Sequence, residues 1–332
     1  MTAAAAPTDA IPIADIALPR LEPVSPGQLV WRRFRRHTMA MFGSGLLILM
    51  LLWVTVGALI FARGVCTGTG NFVSGEAYAN CNDTSKKLQP PSAEHPFGTD
   101  TIGRDILTRT IYGGQISLLV GLTSAILEVG VGVTIGALAG FFGGWVDSLL
   151  MRFTEAMLNI PSLFLLIVMA KFFGDSIPTI NVAGRALSGS VIVIVVIIGL
   201  TSWMYLARIV RAAFLSLKEQ DFVSASRALG VGNFHLIVRH MLPNTIAPII
   251  VSATLGVAAA ILSEAYVSFL GLGIRPPTAS WGNMLDSAYR YLESAPWLWI
   301  FPGLMILLTV LSVNFVGDGL RDALDPRTTR KG

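Results

Sequence analysis

The chain of 332 residues is 53% hydrophobic and only 13% charged, with a mean hydropathy of +0.66. A soluble domain needs more solvated surface than this composition supplies, so the sequence is that of an all-α polytopic membrane protein. Its formal net charge of +4 reads as an orientation signal for a membrane chain rather than as a nucleic-acid surface.

Residues 1–24 are rich in Ala and Pro and are expected to form a disordered tail. Ser25-Pro26 then reads as a helix start, with Ser as the cap and Pro at the first helical position. Residues 25–38 mix Leu29, Val30, Trp31 and Phe34 with Arg32, Arg33, Arg35 and Arg36, as suits an amphipathic helix lying in the lipid interface. Apolar runs follow at 39–61, 116–142, 157–173, 190–206, 246–270 and 297–316, against the roughly 20 residues that one crossing needs. The first is too long and begins too late for a signal peptide. Six transmembrane helices therefore occupy 39–318, and 319–332 form a tail.

An even number of crossings puts both ends on one side, and Lys and Arg decide which, because they are retained in the cytoplasm during insertion. With the N-terminus inside, the inner segments hold Arg20, the four arginines of 32–36, Arg152, Arg208, Arg211, Lys218, Arg227, Arg239, Arg321, Arg327, Arg330 and Lys331. Fewer fall outside, and most of those are spread along one long loop. The bias predicts an N-in, C-in orientation. That outer loop, 63–114, contains both cysteines, Cys66 and Cys81. Their place on the oxidising side suggests a disulfide, two free thiols being the other reading.

Within the spans the polar signals are few. Gly132, Gly136 and Gly140 lie on one helical face, where missing side chains let another backbone approach closely. Only Glu128 and Glu264 lie deep in apolar segments. Pairing with neighbouring helices is the favoured reading for both, and contact with a transported substrate is the alternative. No Lys follows a Gly, so a phosphate-cradling G-x-x-x-x-G-K-[ST] loop is absent and any ATP must be hydrolysed by another chain. His37, His95, His235 and His240 all fall outside the spans, so no catalytic or metal site based on His is expected in the bilayer. His95 is expected to be solvated. The chain is not expected to be an enzyme or to bind a cofactor or metal.

The polar segment 221–244, DFVSASRALGVGNFHLIVRHMLPN, interrupts two membrane-length runs. Asp221 is placed to cap a helix through Leu229, and Gly230 to end it in the left-handed conformation. Asn233 is placed to cap a second helix, in which Phe234, Ile237, Val238, Met241 and Leu242 share a face and Pro243 stops the run. Helices this short are not stable alone, so they need a partner surface. The bland alternative is a hairpin lying on lipid.

This segment resembles the cytoplasmic coupling loop of ABC importer permeases, whose pattern ends in a Gly followed by a Leu-Pro, here Gly230 and Leu242-Pro243. The segments HPFGTDTIGRDILTRTIYGGQISLLVG, GGWVDSLLMRFTEAMLNIPSL, EAYVSFLGLGIRPPTASWGNML and PWLWIFPGLMILLTVLSVNFVGDGLRDALDP likewise resemble the C-type permease subunit of dipeptide and oligopeptide ABC importers. The resemblance implies a type I importer fold in the inner membrane, working by alternating access with ATP bound by partner subunits. Those partners would be a B-type permease, two ABC ATPases and an extracytoplasmic substrate-binding protein. It also implies that Asp221, Phe222, Ala225, Arg227, Gly230, Phe234, Arg239, Leu242 and Pro243 form the ATPase-coupling surface. Ser224-Ala225-Ser226 departs from the family's Glu-Ala-Ala, so an ion pair from that Glu is unavailable. The stretch 63–94 is longer than the family pattern. Importers of nickel complexes or glutathione resemble the same segments, and an ion-coupled carrier or a non-transporting scaffold are readings of other classes.

Overall fold

The computed structural model describes residues 25–66, 71–174, 176–182, 185–286 and 288–325. The expected tail at 1–24 and the end of the C-terminal tail, 326–332, lie outside the described residues. The first helix, α1 (Pro26–Phe34), opens with a capping box in which the Ser25 hydroxyl accepts from the Gln28 amide and the Gln28 side chain accepts from the Ser25 amide. Helix α2 (Thr38–Phe61) follows, with His37 Nδ1 accepting from the Ala40 amide at its start.

Beyond α2 the outer loop is folded rather than open. Strand β1 (Arg63–Cys66) pairs antiparallel with β2 (Asn71–Ser74), a short helix α3 (Glu76–Ala79) follows, and Cys66 is bonded to Cys81. The next helix, α4 (Ile106–Phe142), has 37 residues and starts well before the boundary expected at 116. Hydropathy misses this first stretch because its polar residues Thr108, Arg109 and Gln115 find partners within the protein. The Asp105 carboxylate caps the helix by accepting from the Thr108 amide at 2.7 Å and pairs with His95 Nδ1 at 2.8 Å. Arg109 is buried and donates to Asn80 Oδ1 at 2.9 Å. His95 is thus buried, contrary to the solvated position its loop context suggests.

Two crossings are broken. Helix α5 (Gly144–Leu158) meets α6 (Ser162–Phe173) at 85°, where Pro161 lacks an amide and restricts the residue before it. The continuous span expected at 157–173 is therefore a bent pair. After a small hairpin of β3 (Ile180–Val182) and β4 (Arg185–Leu187), α7 (Ser190–Ser202) and α8 (Met204–Lys218) meet at 42°. The Thr201 and Ser202 hydroxyls donate to the carbonyls of Ile197 and Ile198 just before this bend, a back-bonding that favours bending. Helix α8 continues past the expected end at 206. The coupling segment holds α9 (Asp221–Ala228) and α10 (Asn233–His235), and leads into α11 (Ile246–Phe269). The outer return contains α12 (Trp281–Asp286), and α13 (Trp297–Leu324) closes the fold, its helix extending beyond the boundary expected at 318. Among the described residues, four helices are long and apolar enough to cross a membrane, and the two bent pairs bring the crossings to six.

Helix α4 is the central element, packed against α2, α7, α8 and α11. Its glycine stripe is the seam with α8. A Cβ added to Gly132 would lie 3.0 Å from the Trp203 carbonyl oxygen, one on Gly136 2.4 Å from that of Ala207, and one on Gly140 2.6 Å from Phe214 Cβ. Helix α1 rests on the far end of α13, where Arg33 donates to the carbonyls of Ala323 and Asp325 and Phe34 packs with Ala40 and Ala323.

The Cys66–Cys81 bond closes a loop with a sequence separation of 15, and closing a loop of this size limits the unfolded ensemble by about 3 kcal/mol in the chain-entropy model. A membrane-impermeant maleimide should leave the non-reduced protein unlabelled and should label Cys81 in Cys66→Ser. Labelling of both cysteines without reductant would show that they are free thiols.

Candidate functional site

The coupling segment is a corner built on Gly230. Its φ of +79° lies in the left-handed region, where a side chain is strained. The amide of Val231 donates to the Ser226 carbonyl and that of Gly230 to Arg227, the paired bonds of a Schellman motif. The start of α9 differs from expectation: Gln220 occupies the N-cap, no side chain caps the helix, and Asp221 is its first residue. Asn233 does not cap the second helix either, because Gly232 holds that position.

The second helix is also not a separate unit ended by Pro243. After α10 the backbone takes a π-turn at Leu236–Met241 and a 3-10 turn at Leu242–Thr245, and runs straight on into α11. Pro243 stands in the first turn of the 3-10 stretch, where its missing amide costs little. The π-turn changes which residues face the bundle. Leu236 and Met241, five apart, are fully buried, Ile237 and Leu242 are half-buried against the same cluster, and Phe234 and Val238 face outward. The single face expected of Phe234, Ile237, Val238, Met241 and Leu242 is therefore split, with Met241 turned into the bundle and Phe234 outward.

What anchors α9 and what it leaves open are distinct. Val223 is fully buried in a cluster with Phe214 of α8, Leu236 and Met241. The Arg227 guanidinium sits over the Phe141 ring, 5.4 Å from its centre, tying α9 to the end of α4. Phe222 is exposed, and Leu229 and Phe234 are 85% and 80% exposed. Asp221, Ala225, Arg239 and Pro243 are exposed on the same segment. Leu229 was expected only as the last residue of the first helix; the bare Gly230 corner beside it leaves it exposed. Behind this surface, Arg211 of α8 donates to Asp147 of α5 through two nitrogens, the Nη2 bond being 2.6 Å.

The two deep carboxylates have different surroundings. Glu264, on α11, is completely buried and accepts from the hydroxyls of Ser117 at 3.1 Å, Ser268 at 2.7 Å and Ser280 at 2.7 Å. Each serine oxygen accepts in turn from a backbone amide, of Trp281, Ile274 and Asn283 respectively. The Trp281 indole donates to the Thr110 carbonyl, and Gly113 and Gly114 leave room for Ser280 and Trp281 on α4. Glu264 thus pins the outer return to α4 and α11. Ser268 is one turn away on the same helix, but Ser280 and Ser117 lie 16 and 147 residues from Glu264 and carry no local signal of the network. Glu128, on α4, makes no hydrogen bond or ion pair among the described residues, against the pairing expected of it. It borders a cavity of about 540 Å³ between α4, α6, the α7–α8 bend and α11, whose polar lining includes Ser162, Thr201, Ser252 and Ser263.

Comparison with known proteins places this architecture in a family. Residues 132–330 match the model of the binding-protein-dependent transport system inner membrane component, and residues 25–91 that of the N-terminal transmembrane domain of oligopeptide transport permease C. The chain belongs to the binding-protein-dependent transport system inner membrane components, and is a multi-pass membrane permease. It is 40% identical over 304 residues to a dipeptide transport system permease protein of Alkalihalophilus pseudofirmus, covering 92% of this chain and 91% of that protein. It is also 40% identical over 305 residues to the Bacillus subtilis protein of that description, covering 91% and 86%. An inward-facing structure of the MetNI methionine ABC transporter shares the fold, with a TM-score of 0.50 and 18% identity over 65% of this chain and 97% of that one.

Glu264→Leu should lower stability strongly, because it strands three buried hydroxyls, each costing about 1–3 kcal/mol when left unsatisfied. Glu264→Gln keeps an acceptor and should cost much less. Thermal unfolding of the detergent-solubilised protein distinguishes them, and equal midpoints for the two variants would show that the network is not what holds the outer return.

Proposed function

We propose that this chain is one permease of an ATP-driven ABC importer that moves di- and oligopeptides inward across the membrane by alternating access. The observation that carries the reading is the coupling corner, where Phe222, Leu229 and Phe234 stand exposed on a segment that Val223 and Arg227 lock to α8 and α4. An exposed apolar surface on a fixed polar hairpin suits a protein partner. The partners proposed are a B-type permease, two ABC ATPases that bind the ATP, and an extracytoplasmic binding protein that delivers cargo. The peptide cargo is supported by relatives described as dipeptide permeases, and no observation favours a nickel complex or glutathione.

The mechanism follows from how the corner is attached. Closing of the ATPases on ATP would push α9, and α9 packs on α8 through a buried apolar cluster of Val223 and Phe214. Helix α8 meets α4 backbone to backbone along Gly132, Gly136 and Gly140, so the two cannot slide without clashing. Displacement at the corner therefore moves α8 and α4 together, and with them two walls of the cavity. Ser224 offers no charge to an ATPase, so contact there depends on shape.

Proteoliposomes holding the complete set of subunits should accumulate labelled dipeptide with ATP and binding protein, and none when the ATPases are omitted. Uptake by this chain alone, driven by an ion gradient, would identify a secondary carrier instead. Within the complex, Gly230→Val should abolish co-purification of the ATPases or their stimulated activity, since a β-branched residue resists the left-handed corner. Ser224→Ala should be mild, removing at most one exposed hydrogen bond worth about 0.5–1.5 kcal/mol. The reverse ranking would mean that a polar contact, not the corner, docks the partner.

A further inference from the structure

We propose that Glu128 lies on the translocation route and holds the cationic amino end of a peptide in transit, a reading that rests on the peptide import proposed above. The contrast with Glu264 is the starting point. Both carboxylates sit deep in spans, where an ionisable group is retained only if it is paired or faces a water-filled space. Glu264 has three hydroxyl donors; Glu128 has none, although it is only 9% exposed. A nearly buried carboxylate with no protein donor is available to a donor from outside the chain.

The space it faces is suited to one. The cavity of about 540 Å³ falls within the range that encloses small organic ligands. It opens where two crossings are broken, at the 85° bend between α5 and α6 and at the 42° bend between α7 and α8. Irregular backbone at membrane depth is tolerated where it borders such a cavity. Across it, Gly256 of α11 stands against Glu128, and a Cβ there would come within 2.7 Å of Glu128 Oε2, so the glycine keeps the carboxylate accessible. Ser162, Ser252 and Ser263 add neutral hydroxyls, and among the described residues no Lys or Arg lines the space. One acidic group among hydroxyls and apolar walls recognises a cation. An amino terminus is the cation common to free-amine peptides whatever their side chains, so this contact would not restrict cargo by sequence.

The test uses the complete transporter in proteoliposomes, with a labelled dipeptide presented by the binding protein. Glu128→Gln keeps size and shape, and should retain binding-protein-stimulated ATP hydrolysis within about twofold while peptide uptake falls about tenfold, on the scale of losing one charge-assisted bond. Glu128→Asp should restore most of the uptake. Equal uptake by Glu128→Gln and the unaltered transporter overturns the proposal. So does a parallel fall of hydrolysis and uptake, failure of Glu128→Asp to exceed Glu128→Gln, or loss of the partner permease on purification, each of which marks a structural carboxylate. If the unaltered transporter imports no peptide, the peptide reading itself fails, an outcome distinct from failure at Glu128 alone.

Discussion

The close approach of α4 and α8 is the constraint on which the rest of the architecture depends. At Gly136 and Gly140 there is no room for even a methyl group, so the two backbones form one rigid unit. Helix α7 joins the same seam, a Cβ on Gly199 meeting Leu127 Cβ at 2.6 Å. Small residues serve here because lipid gives helices no hydrophobic reason to associate; close van der Waals contact has to supply it. The result is a stiff connection from the cytoplasmic corner to mid-membrane, and Glu128 sits on it one turn before Gly132.

Two polar assemblies work at opposite ends of that unit. At the outer end, Glu264, its three serines and the Trp281 indole lock the return between α11 and α13 onto the first turns of α4. Nearby, Asp105, His95, Arg109 and Asn80 fasten the folded outer loop to the same helix. At the inner end, the Arg211–Asp147 pair and the Arg227 contact with Phe141 tie α5, α8, α9 and α4 together. In each place charged or dipolar side chains find partners on a neighbouring element, and so they position the elements. Glu128 lies between these assemblies and belongs to neither.

The broken crossings follow from the same division. Pro161 and the back-bonded Thr201 and Ser202 bend the chain where it borders the cavity, while α2, α4 and α13 stay continuous on the supporting side. The bends cost regular hydrogen bonds and in return leave a space at membrane depth that straight, close-packed helices would fill.

Composition and patterning by themselves determined the class of the chain. Runs of about 20 apolar residues admit only membrane helices, the basic residues predict an orientation, and the Gly230 corner, the glycine stripe and the pairing of the only two cysteines were legible because each rests on a local property of one or two residues. Element ends were not legible where tertiary contacts replace water. Ile106 to Gln115 looked like loop because Thr108, Arg109 and Gln115 are polar, yet the folded outer loop and α12 bury most of that stretch. The burial of Leu236 with Met241, five residues apart, follows from a π-turn, which no 3.6-residue pattern contains. Least legible was the difference between Glu128 and Glu264: each is a single acidic residue in an apolar run, and only the packing of other segments adds Ser117 and Ser280 to the neighbouring Ser268 at one of them and leaves the other facing a cavity, because those hydrogen-bond partners are set by position in space and not by neighbours in the chain.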